Sequence, residues 1–221
     1  MNRSIVRQLI LKDLYLVRWM IAGSIFAGLA AVAMMPLGTV SAYVGGVSLI
    51  CVLVILNIFL VMGVAQERKD KVLLFVLSLP VSTTEYTIAK VLANATAFTV
   101  PWLVLTAANI VLIDVSRIPN GILPFWVAVL AYLLAYYFAL LAVSLVTDKT
   151  GWHTTAIIVG NVSVNFLIPF LLRLPSVAAH GEGPTAVWTG DIVAMIVLEV
   201  VAGVAALGLA VYVHSRRPDF V

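Results

Sequence analysis

Apolar and polar positions fall in long blocks along this 221-residue chain rather than alternating at short period. Six apolar runs stand out, at 19–35, 42–65, 91–113, 122–146, 154–172 and 192–213. Each approaches the ~20 helical residues that cross a hydrocarbon core about 30 Å thick. Five hold no charged residue, and the sixth holds only Glu199. Backbone groups in lipid must bond within their own segment, so continuous runs of this length predict helices rather than barrel strands. The expected fold is an all-α integral membrane protein, one domain over 1–221, with six transmembrane helices.

The polar blocks between the runs have characters of their own. Residues 3–18 mix charge and bulk: Ile5, Val6, Leu9, Ile10, Leu16 and Val17 share one broad helical face, while Arg3, Arg7, Gln8 and Arg18 lie away from it. Asp13 intrudes on the apolar side. This pattern predicts an N-terminal interfacial helix on the inner leaflet, ahead of the first span. The block 66–90 reads QERKDKVLLFVLSLPVSTTEYTIAK. Its centre, 72–79, is eight apolar residues closed by Pro80, too short to span and too apolar for a solvated loop. A helix of that kind needs a membrane face or a protein groove to bury against. The blocks at 36–41 and 114–121 are short turns. The block 173–191 is longer, with an apolar first part and a turn at Gly181, Glu182, Gly183 and Pro184.

Charge sets the expected orientation. Eleven of the 13 Lys and Arg residues lie in the N-terminal segment, the 66–90 block, the 147–153 block and the C-terminal tail; only Arg117 and Arg173 lie on the other side. The positive-inside rule therefore predicts cytoplasmic termini and an even number of spans. Composition agrees: 63% of residues are hydrophobic and 10% charged, with a mean hydropathy of +1.13. Soluble domains carry about 25% charged residues. The net charge of +3 is dispersed along the chain, so it gives no nucleic-acid signal. The lone Cys51 excludes a disulfide framework, and the charge-interrupted N-terminus does not read as a signal peptide.

Enzyme motifs are absent: no P-loop, HExxH, GxSxG or CxxC occurs, and no catalytic, cofactor or metal residue is assigned. His153, His180 and His214 have no second ligand at helical spacing and read as surface or interfacial residues. Glu199 is the exception among membrane-embedded positions. It sits roughly 12 Å below Asp191 along a helix, near mid-membrane. It either lines a translocation path or subunit interface, or is a neutral group hydrogen-bonded to a neighbouring span. Asn57, Asn109, Asn161 and Asn165 are expected to bond across helices; Asn161 and Asn165, at i and i+4, form the better pair of pathway candidates, with Asn109 beside them. Pro101 is expected to kink the third span. Small residues at i+4 (Gly23, Ala27, Ala31 and Ala202, Ala206, Ala210) permit close helix contact.

Glu67, then Leu77-Ser78-Leu79-Pro80-Val81-Ser82, Glu85 and Lys90 at the start of the next run, resemble the ABC type-2 permease family; Lys71-Val72 stand where that family usually has Gly-Thr. The six-run layout extends the resemblance over the full chain. It implies an exporter's membrane subunit, working with a separate ATP-binding ABC ATPase and a second copy of itself or a similar permease. ATP-Mg is then expected on the partner, and the substrate is hydrophobic or amphipathic: a peptide, lipid-like molecule or natural product. It also implies that 72–79 is a cytoplasmic coupling helix, with Glu67, Val72, Phe75, Leu77, Leu79 and Pro80 at the ATPase contact, in a bacterial inner membrane. Competing readings are an intramembrane enzyme using Glu199, a channel, or a non-transporting immunity or scaffold protein. A channel needs rings of polar pore residues, and an enzyme needs a second acid, ligand or nucleophile at matching depth.

Overall fold

A computed structural model describes residues 3–69, 83–147 and 149–215. Among them the fold is all helical: α1 (Arg3–Met34), α2 (Thr39–Lys69), α3 (Thr83–Val115), α4 (Leu123–Val146), α5 (Thr150–Arg173), a short α6 (Pro175–His180) and α7 (Gly190–Ser215). Six of these are long and apolar enough to cross a membrane, as the six runs predict. The central stretch 72–79, with Val72, Phe75, Leu77, Leu79 and Pro80, lies outside the described residues, and Glu67 is described only in its backbone.

α4 is the hub. Its span is 67% buried, against 11% for α7 and 17% for α5. α7 packs along it most extensively, α5 covers another strip, and α2 and α3 close the far side. α1 packs chiefly on α3 and α2. The main core joins Leu49, Leu53, Phe98, Leu105, Leu133, Tyr137 and Leu141 from α2, α3 and α4. Tyr137 is fully buried, stacks on Phe98 at 4.1 Å and donates to the Asn94 carbonyl at 2.8 Å. Trp102 Nε1 donates to the Leu130 carbonyl at 2.7 Å, so α3 and α4 are tied twice.

The expected interfacial helix is not a separate element. Residues 3–18 run without a break into the first span as one 32-residue helix. No proline or glycine interrupts its first half, and only part of its apolar face meets the bundle: Val6 is buried and Val17 packs on the core, whereas Leu16 is exposed; Leu14, from outside that face, packs on the core as well. Asp13, out of place on a membrane-surface helix, meets Lys90 of α3 at 3.0 Å.

Glycines set the closest helix approaches, and the small-residue rows picked out by spacing supply only part of them: Ala31 and Ala210 are buried in the core, and Gly45 of α2 lies against the Ala31 backbone. Gly23 faces open space and Ala27 is exposed, whereas Gly28 lies against Leu105. In α7 it is Gly203 that meets the backbone of α4: a Cβ there would stand 2.7 Å from Ala135 Cα. Gly38, at φ +152°, makes the turn from α1 to α2 in a conformation that side chains exclude. At the same end of the bundle the Gly121 amide donates to the Gly183 carbonyl at 3.0 Å, tying the α3–α4 turn to the α6–α7 connection. α6 occupies the apolar first part of the 173–191 block; Val177 is buried beneath it and Ser176 donates to Asp191 at 2.9 Å.

Candidate functional site

A groove of about 430 Å³ opens between α5 and α7 along one face of α4. The α4 residues lining it, Tyr132, Ala135, Tyr136, Ala139, Leu140 and Val143, recur at three- and four-residue spacing and so share a helix face. α5 adds Ala156, Val159, Gly160 and Ser163; α7 adds Leu198, Glu199, Ala202 and Gly203. The space exists because the facing positions are small. Gly203 lets α7 approach Ala135, and Gly160 admits the Tyr136 ring against the α5 backbone. Both tyrosines then tie α4 to α5: Tyr136 donates to the Ile157 carbonyl at 3.0 Å and Tyr132 to the Gly160 carbonyl at 3.3 Å. Their rings stack at 6.2 Å.

Glu199 is the charged group of this groove. It lies nine residues into α7, about 13 Å along the helix, which puts it at mid-span. It is 9% exposed, and its buried Oε2 has no hydrogen-bond partner among the described residues. An acidic residue at this depth costs about 2.5–3.5 kcal/mol on insertion scales. A neutral carboxyl bonded to a neighbouring span would offset that, but no such bond is made here. The Ser163 hydroxyl donates its proton to the Val159 carbonyl at 2.7 Å, so it has none to donate to Glu199.

The asparagines divide. Asn109 is fully buried, and its amide reaches Met35 Sδ at 3.5 Å, leaving Oδ1 without a partner. Asn161 and Asn165 sit on α5, but Asn165 is exposed and bonds the Asn161 carbonyl of its own helix. They therefore make no cross-helix pair, and Asn109 is not part of their face or of the groove. Asn57, expected to bond a neighbour, is 1% exposed with neither side-chain atom satisfied. In each case residue type and depth are legible from the sequence, but not which neighbour stands opposite.

Two polar features escaped sequence reasoning. His153 is buried rather than superficial: its Nε2 lies 2.9 Å from the Thr147 carbonyl, locking the start of α5 to the end of α4. Lys90, counted as a loop charge, is 8% exposed and salt-bridged to Asp13. A basic residue seven positions into a helix, facing an acid on an otherwise apolar stripe, was the available signal. This pair stands where α3 emerges from the 66–90 block. From there Asn94 Nδ2 donates to the Lys90 carbonyl at 2.9 Å and the Asn94 carbonyl accepts from Tyr137 of α4.

A family model described as ABC-2 family transporter protein matches residues 8–215, nearly the whole chain. The chain belongs to that family. It is a multi-pass membrane permease subunit of an ABC transporter, and membership implies association with an ABC ATPase subunit. Neither curated proteins nor solved structures yield a match. Members of this family are the membrane transport component, which is not itself catalytic.

Proposed function

We propose that this permease is an export half-transporter of a bacterial inner membrane, with both termini and the 66–90 block in the cytoplasm. Two copies, or one copy and a similar permease, enclose the path. ATP-Mg binds at the partner ATPases, and the helix at 72–79 carries their closure into α2 and α3. The substrate is hydrophobic or amphipathic. The observation that carries this reading is the groove: a mostly apolar, drug-sized space at mid-membrane depth, reached between two sparsely covered helices and holding one unpaired carboxyl. A small inorganic ion would need a ring of polar groups, which this lining does not supply. On the loop, Phe75 is the anchor, because aromatic side chains dominate contacts of this kind.

The test is Phe75→Asp, made in the intact transporter. It should reduce ATPase co-purification and substrate-stimulated hydrolysis while membrane insertion stays normal. Unchanged association would place this helix in the membrane interface instead. A cysteine at position 69 on a Cys51→Ala background should resist a membrane-impermeant thiol reagent added outside intact cells; labelling there would reverse the orientation.

A further inference from the structure

We propose that the groove between α4, α5 and α7 binds a lipophilic cation, an amine or quaternary ammonium carried on an apolar body, with Glu199 as its counter-charge. This rests on the export reading above and names a substrate class for it.

Charge complementarity comes first. Glu199 is nine-tenths buried, lines the groove, and has a buried carboxylate oxygen with no partner among the described residues. No Lys, Arg or His stands among the groove-lining residues. A carboxylate held in a low-dielectric site without a counter-ion is the arrangement that most rewards a cation. The aromatic wall points the same way. The Tyr132 and Tyr136 hydroxyls are both committed to α5 carbonyls, which leaves their rings as lining, and ring faces attract ammonium groups. Apart from Ser163 the remaining surface is aliphatic, with Ala139 and Ala202 offering a smooth seat for an apolar body. A volume of about 430 Å³ suits a molecule of drug size.

Other occupants fit less well. An anion would meet a carboxylate and no basic side chain. A lipid tail would fill the space and leave Glu199 unpaired. A second copy of this chain has no counter-charge to bring at that depth, because its apolar runs contain no basic residue and only Glu199 as a charge.

The experiment uses the full-length protein in nanodiscs and the fluorescent lipophilic cation rhodamine 6G, followed by fluorescence polarisation. Binding should be saturable, displaced by dodecylamine, and not by dodecanol of equal chain length. Glu199→Gln should weaken it by about thirtyfold or more, the scale of losing one member of a buried charge pair. Glu199→Asp should retain most of it, and Ala202→Phe should block it sterically. Absent saturable binding, equal displacement by amine and alcohol, or unchanged affinity in Glu199→Gln would each overturn the proposal. If Glu199→Gln does not fold, the comparison of amine with alcohol on the unmodified protein still decides. Efficient disulfide cross-linking of two copies through Ala202→Cys on the Cys51→Ala background, left unchanged by saturating rhodamine 6G, would show the groove filled by packing between subunits and also overturn it. ATP hydrolysis by the co-purified complex separates the two readings. A complex that hydrolyses ATP but ignores the probe sinks the cation assignment alone, whereas a chain that captures no ATPase sinks the export reading.

Discussion

Replacing Lys90 by methionine should be among the most destabilising single changes outside the apolar core. The Lys90 ammonium stands 3.0 Å from Asp13 Oδ2, and the two side chains are only 10% and 15% exposed. Removing one member of a fully buried pair costs about 3–5 kcal/mol, because the other is left charged and unsolvated. An exposed pair is worth about 0–1 kcal/mol. The small residual exposure places this pair nearer the buried limit, and the exposed Lys12 ammonium, 3.9 Å from Asp13 Oδ1, compensates Asp13 only weakly, so Lys90→Met should lose about 2–4 kcal/mol. Lys90 makes further contacts, so the single substitution carries more than the pair alone. A double-mutant cycle with Asp13→Leu isolates the pair, and the double variant should recover about 2 kcal/mol, since an apolar pair can replace a buried ion pair at little net loss. Unfolding by sodium dodecyl sulfate in mixed micelles, followed by fluorescence of the five tryptophans, measures each corner of the cycle. Strict additivity of the two single changes would refute the reasoning and make the contact between α1 and α3 purely apolar.

Three further outcomes follow from the packing, all read by the same unfolding assay. Tyr137→Phe should cost about 1 kcal/mol for the lost bond to Asn94, and Tyr137→Ala about 3–5 kcal/mol for the cavity beside Phe98; equal losses would mean that the ring contributes nothing. Gly203→Ala should cost about 1–3 kcal/mol, because its Cβ would force α7 off Ala135, whereas Gly208→Ala, with nothing within 4 Å, should be neutral or mildly stabilising. Equal effects would sink the close-contact assignment. Glu199→Leu should leave stability unchanged or higher, since it removes a buried carboxyl that bonds nothing in the chain. A clear loss would mean that the carboxyl has a stabilising partner.

The six spans were legible because bilayer thickness imposes a length on every helix that crosses it, and a length can be read off a sequence. The kinship was legible too, from Leu77-Ser78-Leu79-Pro80 and its flanking charges together with the six-run layout, and the family match over 8–215 agrees. Glu199 stood out for a related reason: one carboxyl among apolar residues is visible without knowing its neighbours. The expectation departs from the structure at 3–18, where the amphipathic pattern predicts an element separate from the first span and the chain forms one continuous helix instead. An apolar face on a helix does not say whether it meets lipid or protein, and here residues 3–18 continue into the first span as one helix, with Val6 buried, Leu16 exposed and Asp13 turned to Lys90.

What only the tertiary structure decided is which side of each span faces protein. In a soluble helix the buried face is the apolar one. In a membrane, lipid tails are as apolar as leucine, so the same residue types serve on both sides and the signal vanishes. That is why nothing in the sequence set α4 apart as the hub, or α5 and α7 as its thinly covered flanks. It is also why the close approaches at Gly28 and Gly203, and the meeting of Gly45 with the Ala31 backbone, could not be picked out among the many small residues of these spans. The groove arises from the same ambiguity: its lining comes from three helices far apart in the chain, and their relative rotation is fixed by backbone approach at Gly160 and Gly203, a three-dimensional fit with no local pattern to announce it.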